Sequence, residues 1–194
     1  MTGGLRERTR AAVRAELAGL ALAVFAERGF EETTVDDVAR AAGLSKRSLF
    51  RYFATKEDMV LGAVESMGEA VAGELRDRPA GESPWAALRA VLCAWEERIT
   101  TSAERVRLIE ETPALRARYA QRREEARQVI AAALRERTPT LSAFDADLLT
   151  SAAGAALDAA SREWLRGGAT TDRATLTKSA FDALSPAIPR HPVR

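Results

Sequence analysis

Along residues 8–28 the apolar side chains Val13, Leu17, Leu20, Ala21, Val24 and Phe25 recur at three- and four-residue steps. Arg10, Arg14, Glu16 and Glu27 fall on the other faces, so the pattern predicts one amphipathic helix. Gly29 ends it in the manner of a helix C-cap. Thr34 then opens a short second helix, because its hydroxyl can accept from a free backbone N–H one turn on, and Asp36 and Asp37 sit near the positive helix end. Val35, Val38, Ala39 and Ala42 form its apolar stripe. Gly43 suits a backbone position that a side chain would strain, and Leu44 holds the turn against the core. Ser45 caps a third helix carrying Lys46, Arg47, Ser48, Leu49, Phe50, Arg51 and Tyr52. Thr55 caps a fourth, which runs from Lys56 through Met59, Val60, Val64, Met67, Val71 and Leu75 as one rod ending before Pro79.

Pro84 is placed as a first helical residue, and further helices are predicted at about 84–101, 103–110, 113–137, 144–166 and 172–184. Pro113, the loop 138–142 and the pair Gly167 and Gly168 separate them. β-Branched runs are few, so the expected class is all-α, about nine helices with no sheet. Residues 186–194, "PAIPRHPVR", are expected to fray.

With 194 residues, 46% of them hydrophobic, the chain can bury a sizeable core. A single cysteine, Cys93, excludes an internal disulfide framework and a multi-cysteine zinc site; it is either a small buried apolar group or a redox thiol. The one histidine, His191, lies among prolines near the end, which leaves a histidine-based dyad or metal cluster without support. No enzyme activity, metal or cofactor is expected. No stretch has the apolar length to span a bilayer and the start of the chain lacks an apolar signal core, so a cytoplasmic location is expected.

The net charge of +1 conceals a local asymmetry. From Arg40 through Lys56 there are five basic residues and no Asp or Glu, while residues 1–60 as a whole hold ten basic and nine acidic groups. Arg6, Arg8, Arg10 and Arg14 add a second basic cluster. Two short helices joined by a glycine turn, the second with Leu49 and Phe53 facing inward and Lys46, Arg47, Ser48 and Arg51 facing out, make a helix-turn-helix. Long donors on such a helix match the acceptors of the major groove, and a carboxylate there would meet phosphate repulsion. Residue by residue the bland reading, a solvated basic face, stays open.

The stretch "TTVDDVARAAGLSKRSLFRYFATKEDMVLGAV", residues 33–64, resembles the DNA-binding domain of TetR-type transcriptional regulators. The shared pattern is a Thr-led helix, an Ala-Gly turn, a short recognition helix ending in Tyr and Phe, and Lys-Glu opening the next helix. The resemblance implies a three-helix DNA-binding domain over residues 1–54 and a ligand-binding and dimerisation domain over 55–194. It implies base contacts from Lys46, Arg47, Ser48 and Arg51 and phosphate contacts from Thr34, Tyr52 and Lys56, with Ser45 and Phe50 in the same DNA-facing set. Phe50 stands where the family usually has Tyr, and a phenyl ring cannot donate the hydroxyl hydrogen bond. Arg47 replaces what is often a small residue.

In the C-terminal part Trp85, Leu88, Val91, Leu92, Trp95, Ile99, Leu108, Leu115, Tyr119, Ile130 and Leu134 are candidates to line an effector cavity, with plain core packing as the other reading. Arg105, Arg107, Arg116, Arg118, Arg122, Arg123 and Arg127 either hold an anionic head group or form a solvated ion-pair face with the interspersed glutamates. "RLIEETPALRARYAQRR" resembles the C-terminal subtype of actinobacterial TetR-type regulators associated with mycofactocin genes and fatty acyl-CoA ligands. Small apolar faces on the last two long helices, from Leu149, Ala152, Ala156, Ala160 and Trp164 joined by Leu176, Ala180, Phe181 and Leu184, can pair two copies about a twofold axis. Two reading heads about 34 Å apart would then call for a pseudo-palindromic operator. The expected function is a DNA-binding regulator, a repressor released by a small apolar or amphipathic effector such as an acyl-CoA. A helical carrier or hydrolase, and a constitutive regulator without effector, are the alternatives.

Overall fold

Helices form nearly wherever the apolar spacing repeats at three and four residues. The computed structural model describes residues 3–65, 67–98 and 102–187, and no strand occurs among them. In order they are α1 (Gly3–Arg28), α2 (Val35–Ala41), α3 (Lys46–Leu49), α4 (Lys56–Glu65), α5 (Met67–Arg76), α6 (Pro84–Arg98), α7 (Ala103–Glu111), α8 (Pro113–Arg137), α9 (Ala143–Arg166) and α10 (Arg173–Leu184), closed by a 3-10 turn at Ser185–Ala187. The chain is all-α, as its pattern predicts. Residues 99–101 and 188–194 lie outside the described residues, and with them Ile99, His191 and nearly all of the tail expected to fray.

Three elements depart from the predicted spans, the first of them α1, which begins at Gly3, five residues ahead of the expected start at residue 8. The fourth helix is described as α4 and α5, with residue 66 between them outside the described residues. The third is shorter than expected: α3 closes at Leu49, and the chain tightens as Arg51 N–H donates to Ser48 O (3.2 Å) and Tyr52 N–H to Leu49 O (3.0 Å), three residues back instead of four. That tightening carries Phe53 into the core beside Leu49.

Packing divides the chain into two compact units, Met1–Glu65 with Arg107–Tyr119, and Ser66–Val106 with Ala120–Arg194. In the first, Leu17, Ala21 and Phe25 of α1 meet Val38 of α2, Leu49 of α3 and Met59, Val60 and Leu61 of α4, with Ile109 and Leu115 in the same core. Phe25 and Phe30 stack at a tilt, 5.0 Å between centroids. Fully burying a side chain of this size is worth about 1.5–3 kcal/mol, which is how a helix of four residues is held in place at all.

The second unit gathers α5, α6, α9, α10 and the later turns of α8 around Val71, Leu75, Leu88, Val91, Leu134, Leu149 and Phe181. Cys93 is buried there, and burial pushes its thiol up, so it packs as a small apolar group. Gly68 allows the closest approach: a Cβ on it would stand 2.9 Å from the Ala126 Cα. Among the described residues no helix is long and apolar enough to cross a membrane.

Candidate nucleic-acid interface and cavity

The turn between α2 and α3 is a Schellman motif. Gly43 N–H donates to Arg40 O (3.1 Å) and Leu44 N–H to Ala39 O (2.9 Å), with Gly43 at φ +65°. Nothing lies within 4 Å of where its Cβ would be, so the demand for glycine comes from the backbone angle alone. On the other side of the turn the Ser45 hydroxyl accepts from Ser48 N–H (3.2 Å) and caps α3. Upstream, Thr34 and Asp37 make a capping box: Asp37 N–H donates to the Thr34 hydroxyl (3.2 Å) and Thr34 N–H to the Asp37 carboxylate (3.0 Å). Hydrogen bonds donated to the Asp37 carboxylate by the Thr34 hydroxyl and the Thr34 N–H, with the Arg40 charge beside it, hold that carboxyl below its ordinary value of 3.8. A second reciprocal pair, Thr55 with Asp58, opens α4.

This frame turns Leu49 into the core and leaves Lys46, Arg47, Phe50 and Arg51 exposed on the opposite side of α3 and its following turn. Thr34 and Ser45 are exposed too, while Ser48 and Tyr52 are half-buried. Phe50 is 43% exposed, the largest outward aromatic of the first unit among the described residues. Lys46 Nζ donates to Asp36 Oδ2 on α2 at 2.8 Å, and Arg10 of α1 donates to the Arg51 carbonyl at 3.0 Å. Lys56 is placed differently. Its ammonium donates to Phe30 O (2.7 Å) and Thr33 O (3.2 Å) and stands 4.2 Å from the Phe30 ring centroid, fastening the loop before α2.

The second unit contains a cavity of about 410 Å³. Its apolar floor is Met67, Leu88, Leu92, Ile130 and Leu157, and Arg123, Glu124, Arg127 and Asp158 supply its charged wall. Arg127 grips Glu124 through two hydrogen bonds, 2.6 and 2.8 Å, and Asp147 at 3.1 Å. Its hydrogen bonds, with one from Gln128, draw the Glu124 carboxyl down to about 2.

Of the cavity residues expected from the sequence, Leu88, Leu92 and Ile130 line this space. Trp85 instead packs against Phe181 (5.1 Å) and donates to the Ser185 hydroxyl, and the Trp95 ring nitrogen donates to Glu74. Leu108 and Tyr119 pack on the first unit's core, and Ile99 lies outside the described residues. The charged wall was present in the sequence as spacing: Arg123 and Arg127 stand one turn apart on α8, and Gly154 and Asp158 one turn apart on α9. Among the described residues no group of three or more His, Cys, Asp or Glu could hold a metal.

Residues 19–63 match the family described as "Bacterial regulatory proteins, tetR family", and residues 82–189 match the "MftR C-terminal domain". The HTH-type transcriptional regulator TcmR of Streptomyces glaucescens is 35% identical over 201 residues, covering 95% of this chain and 88% of TcmR. The HTH-type transcriptional repressor KstR2 of Mycobacterium tuberculosis is 55% identical over 47 residues, 24% of each chain. The structure of FadR from Bacillus subtilis, solved with stearoyl-CoA, superposes with a TM-score of 0.61 at 15% identity, covering 89% of this chain and 98% of FadR. That likeness concerns the fold.

Proposed function

The chain belongs to the TetR family of bacterial transcriptional regulators, proteins that are not enzymes, and on that premise we infer that it is a homodimeric, operator-specific repressor released by an amphipathic effector. One observation carries the DNA-reading part: Lys46 and Arg47 of a short helix and Arg51 of the turn after it are exposed together, on a segment that an N-cap and a Schellman turn fix at the surface. Lys46, Arg47, Ser48 and Arg51 are assigned to base edges, where Arg and Lys suit guanine. Thr34, Ser45 and Tyr52 are assigned to the sugar-phosphate backbone, and Lys56 meets a phosphate with the N–H that its two carbonyl bonds leave over. Phe50, which cannot donate, meets an apolar base edge. Residues 1–54 act as the reading head and 55–194 as the sensing and pairing part, in the cytoplasm with the DNA.

The cavity volume lies within the ordinary range for small-molecule sites, roughly 300–1,000 Å³, and its apolar floor with a charged wall suits an amphipathic ligand. The acyl-CoA held by FadR and the repressor activity in the name of KstR2 support the same reading without deciding the ligand here. Of the faces expected to pair, Leu149, Ala156, Ala160, Trp164 and Phe181 are buried within the chain itself, so pairing at α9 and α10 is supported instead by Phe144 and Leu148, one turn apart on α9 and 74% and 50% exposed, an apolar surface that a second copy would cover.

Selection of duplexes from a random-sequence library by the purified protein tests the reading. A pseudo-palindrome with half-sites about 34 Å apart is the expected outcome. Recovery of no enriched sequence at any salt concentration would count against it, as would a monomer at micromolar concentration in the ultracentrifuge.

A further inference from the structure

The charged wall of the cavity holds two arginines in different ways. Arg127 is gripped by Glu124 from its own helix and by Asp147, so its fork is already filled. Arg123 reaches across to α9, through Nη1 to Asp158 and through Nη2 to the Gly154 carbonyl at 3.2 Å. Gly154 makes that seat possible, because a Cβ there would meet Nη2 at 3.0 Å. The Arg123 side chain is 26% exposed and that of Asp158 is 35% exposed, so the carboxylate is the member that returns more easily to water.

We propose that Arg123 is the anion receptor of this cavity and that Asp158 occupies it in the empty state. A ligand with an apolar tail and a carboxylate or phosphate head lays the tail along Met67, Leu88, Leu92, Ile130 and Leu157 and takes the guanidinium from Asp158. The guanidinium fork matches either head group, and its charge stays paired throughout the exchange. Asp158 rehydrates at the wall. Because the exchanged bond joins α8 to α9, occupancy is coupled to how those two helices are held together, which is the differential contact a ligand needs in order to shift an equilibrium. The proposal rests on the reading of this cavity as the effector site.

Calorimetric titration of the full chain with dodecanoate, dodecyl phosphate and dodecan-1-ol tests it, using wild type, Arg123→Gln and Asp158→Asn. Wild type is expected to bind at least one anionic amphiphile tighter than the alcohol by about tenfold or more, the scale of one charge-assisted hydrogen bond. Which of the two it prefers assigns the head group to carboxylate or phosphate. Arg123→Gln should erase the preference and leave alcohol binding unchanged, and Asp158→Asn should tighten the anion severalfold. Equal affinity for acid, phosphate and alcohol overturns the proposal, as does equal weakening of all three by Arg123→Gln. If Arg123→Gln fails to fold, Asp158→Asn decides alone: unchanged or weaker anion binding rejects the exchange. Absence of binding by all three, with DNA binding intact, rejects this inference and leaves the DNA-reading assignment standing.

Discussion

Lys46 opens α3 with its ammonium 2.8 Å from the Asp36 carboxylate of α2, so the helix proposed to face DNA is paired with an acid that its own sequence window lacks. Both side chains are about half exposed, 50% and 55%. Such a pair contributes little to folding, about 0–1 kcal/mol. Its consequence falls on DNA binding, where Asp36 both occupies Lys46 and repels phosphate. Asp36→Asn should leave the melting temperature nearly unchanged, raise duplex affinity severalfold, and steepen the salt dependence by about one unit. Anisotropy titrations at four salt concentrations check this. An unchanged affinity and slope would place Lys46 away from the nucleic acid.

The capping box makes α2 sensitive to acid. Thr34→Ala removes the hydroxyl that caps the helix and should cost about 1 kcal/mol. Asp37 has a folded pKa below its ordinary 3.8, so its contribution is fully present above 3.8 and is lost as pH falls through the lower folded value. The melting temperatures of wild type and Asp37→Asn, different at neutral pH, should therefore converge as pH is lowered through that folded value. Curves that stay parallel would contradict the assignment.

Gly43 separates backbone strain from crowding. Since open space surrounds its Cβ position and φ is +65°, Gly43→Asn should be the mildest replacement, Gly43→Ala intermediate, and Gly43→Val the worst. The alanine change should cost about 1–2 kcal/mol. Urea midpoints give the order, and an order following side-chain volume with Asn worse than Ala would point to crowding instead.

Lys56 ties α4 to the loop before α2 through two carbonyls. Lys56→Ala leaves both without that donor and should destabilise by about 1–3 kcal/mol. It should also weaken binding to every duplex alike, because the loop carries Thr34. Urea unfolding measured beside a gel shift distinguishes this from a phosphate contact alone, which would weaken binding with no loss of stability.

Much of the first unit was legible in the sequence because its determinants are local. Thr34, Ser45 and Thr55 cap the helices that follow them, and Gly43 makes the predicted turn, since each acts on backbone groups one turn away. The Lys46–Asp36 pair was not, because ten residues and a reversal of direction separate its members. The shortness of α3 depends on Phe53 reaching the core, a tertiary demand that overrides helix propensity. The cavity was the least legible part. Whether a Trp lines a space or fills a core is decided by which helix faces meet, and Trp85 meets Phe181 while Leu88, one turn away, faces the cavity.

A helix that reads base edges differs from one that only attracts phosphate in what the loss of a single side chain does to sequence preference. The most direct test is the relative affinity of wild type and Arg47→Ala for the selected operator and for every single-base-pair variant of one half-site. Arg47→Ala should flatten discrimination at one defined position, where wild type discriminates by about 1–3 kcal/mol, and preserve it elsewhere. Uniform weakening at all positions, with the pattern of preference intact, would contradict base reading by α3.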